Sequence, residues 1–204
     1  MQSIRDALYS IVPVSACGRI LNFLMNLNKN IIKYNTLDRP VIPEEFLHQE
    51  RNPIHLVLDN IRSAFNVGSA FRTGDATRIE KIHLGGISAA PPNSKLEKTA
   101  LNSTQVVPWQ YYRNTIEAIQ ELKKNQVTIC AVELTSASVN FWDYSFPKPV
   151  ALVFGHEVLG VGEDVLQMAD SCLYIPMYGK KTTINVSTAL GVVLFEVLRQ
   201  WYKA

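Results

Sequence analysis

From residue 54 to the C-terminus, short β-rich runs alternate with stretches of helical periodicity, and this alternation constrains the fold more than any other feature of the 204 residues. IHLVLD (54–59) precedes a helical pattern over Val67 to Thr77, KIHLGG (81–86) one near Ser94 to Leu101, and VVPW (106–109) one over Asn114 to Lys124. VTICAVE (127–133) follows, then PVALVFG (149–155) with a helix over Glu163 to Ala169, and CLYIPM (172–177) with a last helix from about Val186. Strand, helix and strand at this spacing make βαβ units, so the expected class is α/β, a mainly parallel sheet with helices on both faces. Ligands of such sheets sit beyond the carboxyl ends of the strands.

That rule selects four segments: Asn60 to Thr73, Leu134 to Ser138, Gly155 to Gly162, and the stretch from Ile175 to Glu196. In the last, Val186, Leu190, Val193, Leu194, Val197, Leu198 and Trp201 recur at helical spacing. Thr182, Thr183, Asn185 and Ser187 crowd the entrance to that helix, just after Lys180 and Lys181. Ser, Thr and Asn are favoured helix caps, but one cap serves one helix start, so these residues either cap the helix or hold a ligand. No GxGxxG follows the first strand, and Phe65-Asn66-Val67-Gly68 lacks the GK[ST] of a phosphate loop. A dinucleotide dehydrogenase and a P-loop enzyme are both disfavoured.

A formal net charge of +2 excludes nucleic-acid binding by bulk charge and leaves only local patches, such as the basic excess of Arg51, Arg62, Arg72, Arg78 and Lys81. Cys17, Cys130 and Cys172 form no CxxC pair, and the four histidines lack metal-ligand spacing, so no metal site and no disulfide framework are expected. A reducing, cytoplasmic setting fits. No apolar run reaches membrane-spanning length, and Val14 to Cys17, a lipoprotein-like cleavage box, follows a stretch broken by Asp6 and Pro13. Residues 1–53 read as a helical N-terminal extension and linker, with helical patterns broken around Pro13 and Gly18, ahead of the main domain at 54–204.

Three segments resemble, in order and spacing, the motifs of the SpoU or TrmH-like RNA methyltransferases of the SPOUT superfamily. They are NVGSAFRT (66–73), LVFGHEVLGV (152–161) and IPMYGKKTTINVSTALG (175–191). The resemblance implies S-adenosylmethionine as methyl donor, transfer to a ribose 2′-hydroxyl of structured RNA (tRNA or rRNA), a homodimer, and a C-terminal trefoil knot. It places Arg72, Asn66, Glu157, Asn185 and Thr183 in catalytic positions. It places Leu134, Thr135, Gly155, Ile175, Ile184 and Ser187 around the donor. His156, Val158 and Val161 depart from the usual motif residues and are expected to bear on substrate choice.

Methyl transfer from a sulfonium to a ribose oxygen is a direct displacement, so such a site mostly positions its reactants. The donor loses its positive charge on reaction, and a fixed anion against the sulfonium would favour the ground state. Glu157 is therefore expected to orient a neighbour. Arg72, a poor proton acceptor, is expected to act as a fork that grips a phosphate and stabilises the developing alkoxide, with Asn66 holding it. A catalytically silent RNA-binding protein on the same fold and a base methyltransferase are the competing functions.

Overall fold

The structure is a computed structural model and describes residues 50–203. The helices expected in the N-terminal extension lie outside the described residues. The described chain runs β1 (Asn52–Asp59), α1 (Ala64–Ala76), β2 (Ile79–Gly85), α2 (Ser94–Ala100), a 3-10 turn (Ser103–Gln105), β3 (Trp109–Tyr112), α3 (Thr115–Lys124) and β4 (Thr128–Val132). It continues through β5 (Val139–Asn140), β6 (Val150–Phe154), α4 (Glu163–Met168) and β7 (Ser171–Tyr174) to α5 (Val186–Lys203). The seven strands form one sheet in the order β3-β2-β1-β6-β4-β7-β5, and every pairing is parallel.

The apolar strands divide their side chains between two layers, as the period of two requires. Ile54, Leu56 and Leu58 of β1, with Val150, Leu152 and Phe154 of β6, join the core under α1, α2 and α5. Val57, Ala151 and Val153 point the other way, into a second core with Ile119 and Leu122 of α3 and Val165 of α4. Covering both faces explains why these strands read as continuous apolar runs.

Two boundaries differ from the sequence reading, each for a local reason. Helix α1 begins at Ala64, before the expected Val67, because the Ser63 side chain caps it by accepting from Asn66 N. Asn66 is thereby placed in the first helical turn, near the carboxyl edge of the sheet. The expected strand VVPW contributes only Trp109: Val106 N and Val107 N both donate to Ser103 O, and Pro108 has no N–H, so no donors remain for a ladder. The two-residue β5 has no apolar run of its own and forms by pairing with β7.

A partly buried polar row crosses the sheet. Tyr112 Oη donates to Glu121 Oε2 at 2.9 Å, leaving its oxygen to accept from His83 Nδ1 at 3.1 Å. His83 Nε2 then accepts from His55 Nδ1 at 3.2 Å, so both rings are neutral with the proton on Nδ1. Burial, reinforced by the neighbouring His55 and Lys81, depresses His83 to about 3, and burial with Lys81 depresses His55 to about 4. The unfolded chain protonates these histidines near pH 6.5 while the folded one resists, so stability is lost as pH falls from 6.5 towards 3. We expect His83→Gln to be less stable than the parent at pH 7 and to lose less between pH 7 and pH 4, by the order of 1–3 kcal/mol in urea unfolding. Equal losses in the two proteins would show that this row does not set the acid limb.

Candidate active site

The carboxyl edge of the sheet brings the three motif segments together. Glu157, in the loop after β6, accepts from Arg62 N at 3.0 Å and Ser63 N at 3.1 Å, the free amides ahead of α1. Its Oε1 also accepts from Asn66 Nδ2 at 2.8 Å. Asn66 Oδ1 accepts from Asn185 Nδ2 at 3.2 Å, and Asn185 Oδ1 accepts from Ser187 N at 2.8 Å and Ser187 Oγ at 2.6 Å. The direction of this chain is fixed from both ends. A carboxylate only accepts and a backbone amide only donates, so neither asparagine can be turned over without breaking two bonds.

Asn185 therefore does both things that its sequence position left open. Its oxygen caps α5, whose early amides Thr188 N and Ala189 N also donate to Asn185 O, while its amide group links the helix to Asn66. For Glu157, burial pushes the carboxyl up, but hydrogen bonds from its own amide, the Asn66 side chain and the Arg62 and Ser63 amides outweigh it and hold the pKa below the usual glutamate value. Glu157 is an anion turned toward the start of α1, where the helix dipole also favours negative charge.

Beside this chain lies a cavity of about 690 Å³, within the ~300–1,000 Å³ range of small-molecule sites. Gly155, Ile175 and Ile184 line it, as do Leu134, Thr183, Glu157 and Asn185. Thr135 and Ser187 do not. The Thr135 oxygens accept from Ala137 N, Ser138 N and Ser138 Oγ in a tight turn, and the Ser187 hydroxyl is turned to Asn185. Arg72 lines neither the cavity nor the polar chain. Six residues beyond Asn66, it stands about 120° round the helix, is exposed, and makes no hydrogen bond or ion pair with another described residue.

The floor of the cavity is built by close backbone approach. Gly155 faces Gly160 and Val161 so closely that a Cβ would stand 2.2 Å from Gly160 C and Val161 N. His156 N and Gly160 N each donate to the other's carbonyl, at 3.0 and 2.8 Å, and Gly160 takes a φ of +74°. His156 Nδ1 accepts from Val158 N and Leu159 N at 3.0 and 3.2 Å. The departure at His156 thus fastens the loop, the same service an Asn side chain gives in an Asx-turn.

Sequence reasoning missed Glu133, the last residue of VTICAVE, which reads there as a strand end. Its Oε1 accepts from Leu134 N at 2.9 Å and its Oε2 from Val161 N at 3.1 Å, pinning the cavity wall to the 155–162 loop. It also missed Asp59, 2 % exposed, which accepts from Thr115 Oγ1, Asn60 Nδ2 and, at 2.8 Å, Gly162 N. A buried carboxylate at the end of β1 was the available signal. Among the described residues no His, Cys, Asp and Glu side chains gather as a metal-ligand set.

The lining combines apolar side chains with two carboxylates, Glu133 and Glu157, each already engaged by amide donors, which suits a flat heterocycle with a ribose and a cationic tail. The chain is similar to known proteins over most of its described length. The chain is 32 % identical over 161 residues to a tRNA (guanosine(18)-2′-O)-methyltransferase of Thermus thermophilus, covering 79 % of this chain and 82 % of that one. It is 30 % identical over 157 residues to a 23S rRNA (guanosine-2′-O-)-methyltransferase of Haemophilus influenzae, covering 77 % and 64 %. The crystal structure of the A. aeolicus TrmH/SpoU tRNA modifying enzyme superposes with a TM-score of 0.70 at 30 % identity, over 78 % of this chain and 80 % of that one. An AdoMet-bound rRNA methyltransferase from Sinorhizobium meliloti gives 0.68 at 28 % identity, over 82 % and 61 %. The SpoU rRNA Methylase family model matches residues 53–195, and with the three motifs joined at one cavity, the chain belongs to that family.

Proposed function

We propose that this protein is an S-adenosylmethionine-dependent RNA methyltransferase that modifies a ribose 2′-hydroxyl of tRNA or rRNA. The observation that carries this reading is the polar chain Glu157–Asn66–Asn185–Ser187, which unites all three motifs at the rim of a cavity suited to the donor. S-adenosylmethionine supplies an electrophilic methyl group when bound. Backbone groups at Gly155, Ile175 and Ile184 hold it without placing an anion against the sulfonium. Leu134 and Ile184, 67 % and 40 % exposed, offer apolar surface for the adenine. Thr183 and Asn185 face the acceptor from the rim, and Arg72 receives the RNA backbone. Glu157 acts through Asn66 and Asn185 as a positioning residue.

Incubating the purified chain with labelled donor and total RNA, followed by nucleoside mass spectrometry, tests the reading. Ribose-methylated nucleosides are expected, while base-methylated ones would replace this function by another. Asn185→Asp isolates the bridging amide, since it keeps the capping oxygen and loses the donor to Asn66. We expect urea stability within about 1 kcal/mol of the parent, against a loss of about 1 kcal/mol for Asn185→Ala, with turnover depressed in both. Full turnover in Asn185→Asp would remove the bridge from the mechanism.

The same reading includes a homodimer. Val192, Phe195 and Tyr202 lie along one side of α5 at 41 %, 55 % and 70 % exposure, and Val158 and Leu159 beside the cavity are 79 % and 82 % exposed. Apolar surface of this kind at a helix face suits a second copy. Phe195→Glu should halve the mass read by light scattering, and an unchanged mass would move the interface elsewhere. A C-terminal trefoil knot belongs to the reading too. β7 enters the sheet between β4 and β5, and the end of α5 is bonded to the earlier loop, Gln200 Nε2 to Tyr144 O and Trp201 Nε1 to Phe146 O. Such threading is rare enough to need this kind of support. A cytoplasmic setting, where RNA is available and thiols stay reduced, completes it.

A further inference from the structure

Of the aromatic residues on β3, Tyr111 is 48 % exposed with its Oη donating to Gly86 O. Trp109 packs against the main core and Tyr112 and Phe146 are buried, whereas Trp142 and Tyr178 are 53 % and 83 % exposed. The Trp142 and Tyr178 rings lie 6.3 Å apart between centroids, with planes inclined by only 21°. Behind them, Phe141 is 1 % exposed and sits 5.4 Å from Trp142, bracing it from the core. Phe141 N donates to Tyr174 O and Trp142 N to Asn140 Oδ1, both at 3.1 Å, so the backbone carrying the indole is fixed.

The pair is continuous with the cavity. Met177 is a wall residue, Tyr178 follows it, Lys180 and Lys181 are exposed, and Thr182 and Thr183 return to the wall. One short loop thus presents the Tyr178 ring and two cations between two stretches of the cavity wall. Neither lysine makes a hydrogen bond or ion pair with a described residue, so both charges are available to an anionic ligand. A ring face flanked by cations complements a nucleotide, whose base offers a π-surface and whose phosphate offers charge.

We propose that Trp142 and Tyr178 form a stacking subsite for an unpaired RNA base next to the modified nucleotide, with Lys180 and Lys181 on the flanking phosphates. This rests on the RNA methyltransferase reading and adds to it the residues that receive the base beside the target. Bases inside an A-form duplex are stacked on one another and cannot offer a face to the protein.

The test measures binding of the full chain to a stem-loop RNA and to a duplex of the same composition. Trp142→Leu and the more exposed Tyr178→Leu should each weaken stem-loop binding by about 5- to 150-fold, the equivalent of ~1–3 kcal/mol per stacked base, and leave S-adenosylmethionine affinity within about twofold. The dependence of log K on log salt should keep its slope in these variants, whereas Lys180→Ala with Lys181→Ala should reduce it by about one per lysine. Parental affinity in both aromatic variants, or equal losses on loop and duplex, would overturn the subsite. Loss of donor affinity would make the pair a brace of the cavity, and a changed mass in light scattering would make it a contact between copies. A parent chain that binds neither RNA nor donor would overturn the enzyme reading itself.

Discussion

Gly155→Ala is expected to abolish donor binding while leaving most of the fold standing. The new methyl would stand 2.2 Å from Gly160 C and Val161 N, and these are backbone atoms that no rotamer change can move aside. Relief must come from opening the 155–161 loop, which is closed by the reciprocal His156 and Gly160 hydrogen bonds and by His156 Nδ1. Overpacking of this kind costs about 1–3 kcal/mol of stability. The functional loss is larger, because the loop is both the floor of the cavity and the arm that carries Glu157. A displacement of 1 Å in such a positioning element costs on the order of 100-fold. Calorimetric titration with S-adenosylmethionine and urea unfolding measure the two effects separately. Parental donor affinity in this variant would mean that the glycine loop is not part of the donor site.

The second large effect is expected at Arg72, with the opposite signature. Arg72 is exposed and bonds to no described residue, so Arg72→Ala should change stability by less than about 0.5 kcal/mol. It lines no part of the cavity, and donor affinity should stay near the parental value. Turnover should fall by about 10²-fold, the scale of misplacing a reactant once the clamp that grips the RNA backbone is lost. Arg72→Lys should not restore it, because an ammonium keeps the charge and loses the planar fork that grips a phosphate through two bonds. A fully active Arg72→Lys would leave only a charge requirement, and the fork role would be wrong.

Gly155 and Arg72 also mark how far the sequence is legible. Strand and helix alternation gave the parallel sheet, and the carboxyl-edge rule pointed to the segments that meet there. Yet Glu157 and Asn66 are 91 positions apart, and Asn66 and Asn185 are 119 apart. Motif likeness named these residues, but no periodicity says that one oxygen of Asn185 caps a helix while its nitrogen crosses to another segment. Thr135 and Ser187 carried the right chemistry at the right edge and are nonetheless turned into local hydrogen bonds. Glu133 looked like a strand terminus and joins two walls of the cavity.

The aromatic residues show the same limit. Trp109 and Trp142 each follow or open a short strand-like run, and only the packing of the sheet decides that one lies against the core and the other stands open beside the cavity.

What the sequence determined by itself is whatever depends on neighbours along the chain. Hydrophobic period, capping residues and missing donors act over a few residues, because backbone hydrogen bonding is local in helices and alternates along strands. The tertiary structure decided the partners. Strand order places β6 between β1 and β4, and thereby sets Glu157 against the start of α1 and Glu133 against Val161. Those contacts form across the sheet edge between segments that share no local geometry, so they exist only once the whole sheet has closed around its two cores.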